Sequence, residues 1–138
     1  MTNDIHFSVT PRAGRQTAGS GSKWESKMGY SRAVRSGNYI AVSGTVGLNA
    51  DGKYPASLEE QTRRSLRIIQ SAIQSLGGKM EHVIRTRMFV TDVSKWEEVA
   101  RVHGEIFGEI RPATAIVEVA KLIDPQAKIE IEADAIII

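Results

Sequence analysis

Residues 128–138 alternate with a period of two. Ile129, Ile131, Ala133, Ala135 and Ile137 fall on one side, and Lys128, Glu130, Glu132, Asp134 and Ile136 on the other. A strand built this way fits a sheet covered on one face only, because carboxylates repeating about every 7 Å must meet water or cations. The cations lie on a second segment. Val83 to Thr91 reads as a strand with Ile84, Met88 and Val90 on one face and Arg85 and Arg87 on the other, which suits those arginines to a place opposite the carboxylates.

The covering layer is written in two amphipathic segments. Ser57-Leu58-Glu59-Glu60 has the form of a capping box, with the Ser57 hydroxyl on the N3 amide and Glu60 reaching back. Leu58, Leu66, Ile69, Ile73 and Leu76 then recur at helical spacing, with Arg63, Arg64, Arg67 and Gln74 largely off the stripe, until Gly77-Gly78 ends a helix about 30 Å long. Ser94-Lys95-Trp96-Glu97 reads as a second box opening a helix whose Trp96, Val99, Val102, Ile106 and Phe107 form the buried stripe, broken at Arg111-Pro112. Ser31–Ser36 and Tyr39–Ser43 read as strands around Ser36-Gly37-Asn38, followed by a long loop from Thr45 to Pro55. Ala113–Lys121 and Lys128–Ile138 are the last strands, joined at Asp124-Pro125. The expected order is β-β-α-β-α-β-β, an α/β domain with one mixed sheet and two long helices on a single face. The other face, half apolar and half charged, suggests copies of the chain packing through their sheets.

A chain of 138 residues accommodates one domain, in which about two thirds of the extended-chain surface is buried. Residues 1–29 read as an arm, since Ala13–Gly29 carries four glycines and three serines with Trp24 and Met28 as its bulky apolar residues, and residues 30–138 as the domain. Cysteine is missing altogether, which excludes disulfides, thiolate metal sites and a cysteine nucleophile. The three histidines, His6, His82 and His103, show no metal-ligand spacing with Asp or Glu. A net charge of +2 is too small to drive binding to a polyanion, so nucleic acid is not an expected partner. No apolar run approaches the roughly 18 residues of a membrane span, and Met1–Thr10 lacks a secretory pattern, so a cytoplasmic protein is expected.

Several blocks together resemble the RidA/YjgF (Rid) family, also labelled the L-PSP endoribonuclease family. They are Arg85-Thr86-Arg87-Met88-Phe89-Val90-Thr91-Asp92, Pro112-Ala113-Thr114-Ala115-Ile116-Val117-Glu118-Val119-Ala120 and Lys128-Ile129-Glu130-Ile131-Glu132-Ala133. Gly29-Tyr30-Ser31, Ser43-Gly44 and Gln61-Thr62-Arg63 fit the family's earlier blocks. The resemblance implies a chorismate-mutase-like single domain, a homotrimer with its sheets packed inward, and ligand pockets in the clefts between subunits. It also implies hydrolysis of small enamines and imines to keto acids and ammonia, with no metal or organic cofactor. Carried over residue by residue, Glu130 is the water-orienting carboxylate. Tyr30, Ser43, Gly44, Thr114, Ala115 and Ile116 are the substrate contacts.

At one of those positions the chain departs from the pattern. The family's P-A-R-S arginine, a bidentate clamp for a substrate carboxylate, is Thr114 here, and a family asparagine on the second helix is Ala100. Three further groups are candidates for the pocket. Arg111 can swing toward position 114, or it is an exposed helix-terminal arginine. Arg32, where the family often has glutamine, can face a neighbouring subunit's pocket. His103 can act as acid or base, or is packed on its helix. The expected activity is that of a divergent imine or enamine deaminase acting on a small keto or imino compound. The alternatives are a non-catalytic metabolite-binding trimer and, ranked below it, a ribonuclease.

Overall fold

The computed structural model describes residues 4–138. Strands β1 (Ser8–Arg12) and β2 (Arg15–Gly19) are followed by a short helix α1 (Lys23–Met28), then β3 (Ala33–Ser36) and β4 (Tyr39–Val46). Helix α2 (Leu58–Ser75), β5 (Val83–Val90), α3 (Trp96–Phe107), β6 (Ala113–Glu118) and β7 (Ile129–Ile136) complete the chain. All seven strands join one sheet in the order β1-β2-β3-β4-β7-β5-β6. Only β5 and β6 run parallel, and α3 connects them. The α/β class, the single mixed sheet and the two long helices agree with the sequence reading.

The glycine-rich segment is more structured than its composition suggested. Residues 13–29, read as part of an arm, hold β2 and α1. Ala13 and Gly14, at φ +48° and +80°, make the tight turn between β1 and β2. Gly29, at φ +73°, closes α1 with its amide on the Glu25 carbonyl. Buried Glu25 accepts hydrogen bonds from the Ser20 amide (3.0 Å) and hydroxyl, tying α1 to the end of β2. The small residues therefore serve a turn and a cap, which composition alone could not separate from a mobile loop.

Ile129, Ile131, Ala133 and Ala135 of β7 are buried under Leu66, Ile69 and Ile73 of α2 and Val99 and Val102 of α3 in one continuous core. Gln61, also buried, donates from Nε2 to the carbonyls of Pro55 (2.9 Å) and Gln126 (3.2 Å) and accepts from the Lys128 amide (2.8 Å). One side chain thus holds α2, the loop before it and the turn into β7 together. At the helix starts, the Ser57 hydroxyl accepts from the Glu60 amide (3.1 Å), but Glu60 bonds Arg63 instead of reaching back. The second expected box does not form. Asp92 accepts from the Ser94 amide and hydroxyl and caps a 3-10 turn over Val93–Lys95, and α3 begins only at Trp96. Trp96 consequently turns outward, 52% exposed, rather than into the stripe.

A second correction concerns β5. Its pairing with β7 steps from Val83↔Ala135 to Arg85↔Asp134, so Ile84 is an extra residue at a bulge. Val83 takes the core position and Ile84 is exposed. Beyond the bulge the expected ladder holds. Arg87 lies opposite Glu132, its guanidinium 3.1 Å from Asp134 and 3.8 Å from Glu132, and the Tyr39 hydroxyl donates to Asp134 at 2.6 Å.

Candidate functional site

A second bulge builds the site. Strand β4 pairs Val42 with Ala133 and then Thr45 with Ile131, so Ser43-Gly44 supplies one residue more than β7 does. The bulge is fixed on both sides. The Ser43 amide donates to the Arg32 carbonyl (3.0 Å), its hydroxyl to the Ser31 carbonyl (2.6 Å), and the Thr45 hydroxyl to the Ser43 carbonyl (2.7 Å). Gly44 is thereby pressed against β7, where an added Cβ would lie 2.8 Å from Glu130 Cδ and 3.0 Å from its Oε2. Only glycine leaves the Glu130 carboxyl that space.

Around Glu130 lies a cavity of about 650 Å³, lined also by Tyr30, Arg32, Gly44, Tyr54 and Asp124, with Trp24 and Met28 from α1 on its wall. Gly29 ends α1 so that Tyr30 follows directly, and the Arg32 guanidinium sits 5.5 Å from the Tyr30 ring centre. Arg32 donates from Nη2 to the Gly44 carbonyl at 2.7 Å. The carboxyl of Glu130 is half-buried, and burial raises its pKa above the ordinary glutamate value; Arg32 pulls it back and Glu132 pushes it up. The Tyr54 phenol is pushed up to about 12 by burial and by Asp124, so it stays a neutral donor at physiological pH. A carboxylate whose protonation lies closer to neutrality, beside a cation and a neutral phenol, can hold and deprotonate a water.

This electrostatic arrangement has a signed consequence. The Glu132→Gln variant removes a charge that raises the Glu130 pKa, so the acid limb of any activity that needs ionised Glu130 moves to lower pH. The measurement is a pH–rate profile of both proteins; a limb that stays put or moves upward contradicts the assignment.

The remaining candidates form a separate group on the edge strand and on α3 and its end. Thr114 pairs with Thr86, which pairs with Ala133, and Ala133 is buried beneath the helices. Glu130 has the opposite parity on β7. Thr114 and Glu130 therefore point to opposite faces of the sheet, with β5 between their strands. The Thr114 hydroxyl is 2.7 Å from that of buried Thr86, which in turn is 2.9 Å from His103 Nε2. Burial lowers the His103 pKa, so this chain of hydroxyls ends on a neutral imidazole at pH 7, whose ring is tilted 43° against that of Phe107 at 4.6 Å. Ala115 is exposed opposite Arg87, and Ile116 packs partly into the core opposite Met88. Arg111 takes φ +60° and donates from Nε to the Gly108 carbonyl (2.9 Å), closing the end of α3 outside the cavity.

One chain thus brings together Tyr30, Arg32, Gly44 and Glu130, with Ser43 holding the bulge behind them. It does not bring Thr114, Ala115, Ile116, His103 or Arg111 to them. Tyr54 and Asp124 escaped the sequence reading. Both lie in loops without periodicity, and the one available signal was their place just before the Ser57 cap and at the Asp124-Pro125 turn. Among the described residues no cluster of His, Asp and Glu suits a metal ion.

Comparison with known proteins places these features in a group. A family model described as Endoribonuclease L-PSP matches residues 21–137. A crystal structure of a YjgF-family protein from Mycobacterium tuberculosis is 46% identical with a TM-score of 0.84, over 89% of this chain and 99% of that one. A 2-iminobutanoate/2-iminopropanoate deaminase of Escherichia coli is 34% identical over 78% of this chain and 86% of its own. An uncharacterized protein of Streptomyces coelicolor is also 34% identical, over 84% and 87% respectively.

Proposed function

The chain belongs to the Endoribonuclease L-PSP family, the Rid/YjgF proteins, and from that premise we propose that it hydrolyses the C=N bond of a small imine at the Glu130 pocket. Water held by Glu130 adds to the imine carbon. The C–O bond forms as the π pair moves to nitrogen, which takes a proton; the C–N bond then breaks, leaving a keto group and ammonia. Glu130 takes one proton of the attacking water and hands it to the nitrogen, then takes the remaining hydroxyl proton as the keto group forms and hands that to the departing amine, so both protons of the water leave with ammonia. The observation that carries this reading is the seating of the Glu130 carboxyl against Gly44, half-buried and raised in pKa, inside a cavity of about 650 Å³. A relative named as a deaminase of 2-iminobutanoate and 2-iminopropanoate supports the substrate class.

In this reading the pocket is completed by a neighbouring copy in a homotrimer, whose edge strand brings Thr114 to the cavity from outside. Two observations support an assembly. The sheet face away from the helices exposes Tyr39, Ile84 and Ile136 around its charge ladder, and Val117 is exposed on the edge strand. The neutral hydroxyl at Thr114 favours the second reading, a trimer that binds a metabolite without turning it over. A ribonuclease has less support, because His103 lies on the helix side, bonded to Thr86, with no second imidazole beside it among the described residues.

The deciding assay generates 2-iminobutanoate in solution and follows 2-oxobutanoate formation with and without the protein. Catalysed release of the keto acid is expected. Release at the uncatalysed rate at micromolar protein would leave the binding reading in its place, and sedimentation of a lone protomer at that concentration would remove the shared cleft.

A further inference from the structure

We propose that Arg32 is the carboxylate clamp of this pocket, supplied by the same chain as Glu130, and that the ligand is a small carboxylate-bearing keto or imino compound. The proposal rests on the pocket described above and adds the group that recognises its ligand. Two arginines line the cavity, Arg32 and Arg64. Arg64 is already engaged, with Nη1 2.9 Å from Asp4 and Nε 3.1 Å from the Leu48 carbonyl. Arg32 is not. Its guanidinium carries five N–H donors, of which Nη2 bonds the Gly44 carbonyl, while Nε is buried with no partner among the described residues. Nε is shielded from any incoming group, whereas Nη1 is neither buried nor bonded among the described residues, so an anion in the cavity meets the Nη1 side of the fork.

The nearest anion does not fill that role. Glu130 is close enough for Arg32 to lower its pKa, yet the two make no ion pair within 4.0 Å among the described residues. Both are hung on one residue: Arg32 bonds the Gly44 carbonyl, and Glu130 packs where a Gly44 side chain would be. A ligand carboxylate on the free edge of the Arg32 fork therefore sets its neighbouring carbon beside Glu130. That carbon is the keto or imino carbon of a 2-oxo or 2-imino acid. The Tyr30 ring, 5.5 Å from the guanidinium carbon, flanks the cation and limits its swing. Thr114 then needs no charge, because Arg32 supplies the cation.

The test reads binding, so it does not depend on turnover. Calorimetric titration of the protein with 2-oxobutanoate and with its uncharged amide is expected to favour the acid by at least about 30-fold. Arg32→Gln should weaken the acid by a similar factor and the amide far less, since the amide loses only a neutral hydrogen bond, and Arg32→Lys should recover only part of the loss because it lacks the planar fork. The comparison of acid with amide on the unaltered protein holds even if the variants fold poorly. Equal affinity for acid and amide, no acid binding at millimolar concentration, or an Arg32→Gln variant that binds the acid undiminished would overturn the clamp. If acid binding depends on Arg32 but no catalysed hydrolysis occurs, the clamp stands and the hydrolase reading falls.

Discussion

Replacing Glu130 with glutamine is expected to lower imine hydrolysis at least about 100-fold, the scale on which a positioned general base contributes. The substitution keeps the size and planarity of the side chain, so the group remains seated against Gly44. What it removes is the proton acceptor. Stability should move the other way. Burial raises the folded-state pKa of Glu130 above its unfolded value, so the wild-type side chain favours the folded state most at low pH and loses that contribution as pH rises through the folded pKa. At neutral pH the native protein holds a half-buried carboxylate against its preference, and Glu130→Gln is expected to melt at a higher temperature. The difference should vanish in acid. Full activity in Glu130→Gln would end the hydrolase reading, and a melting temperature below wild type at pH 7 would contradict the electrostatic account.

The largest structural effect is expected at Gly47. A Cβ there would sit 2.2 Å from the backbone oxygen of Gln61 and 2.8 Å from its carbonyl carbon and Cα. Unlike the Glu130 carboxyl that faces Gly44, a helix backbone cannot rotate aside. The first turn of α2 would have to retreat, and Gln61 would lose its reach to Pro55, Gln126 and Lys128, which now lie 2.8–3.2 Å away. Gly47→Ala should therefore destabilise the protein by about 3 kcal/mol or more, lowering the melting temperature by roughly 10 °C for a domain of this size. Gly104→Ala is the control. That glycine lies within α3 with nothing within 4 Å of the added carbon, and the change should stabilise by up to about 1 kcal/mol. A Gly47→Ala protein that melts with wild type would show that α2 is not held by this contact.

Periodicity found the parts of this molecule that are regular. The β7 alternation, the α2 stripe through Leu66, Ile69 and Ile73, and the arginine ladder on β5 follow from side chains repeating on a face. The failures share a cause. Ile84 and Ser43-Gly44 are single extra residues that shift one strand against its neighbour, and a period-two pattern carries no mark of where such a shift falls. Asp92, not Ser94, is the capping acceptor, and it caps the 3-10 turn ahead of α3; both are good acceptors two residues apart, and only the backbone path decides between them. Among the residues lining the Glu130 cavity, Glu130, Tyr30 and Gly44 were named from the motifs around them. Arg32 was legible as a candidate, but its place beside its own chain's Glu130 depends on the bulge. Tyr54 and Asp124 reach the cavity through loops whose course is set by Gln61, a long-range tie that no local window contains.

The hairpin of β1 and β2 lengthens the sheet to seven strands. With about 20–25° of rotation between neighbours, six steps turn β6 away from β1 by roughly 130°. The two rims that carry unpaired backbone donors and acceptors are thus far from coplanar. A strand added alongside β1 would therefore run at a steep angle to one added alongside β6, so the appended hairpin sets the two open rims to meet partners in different directions.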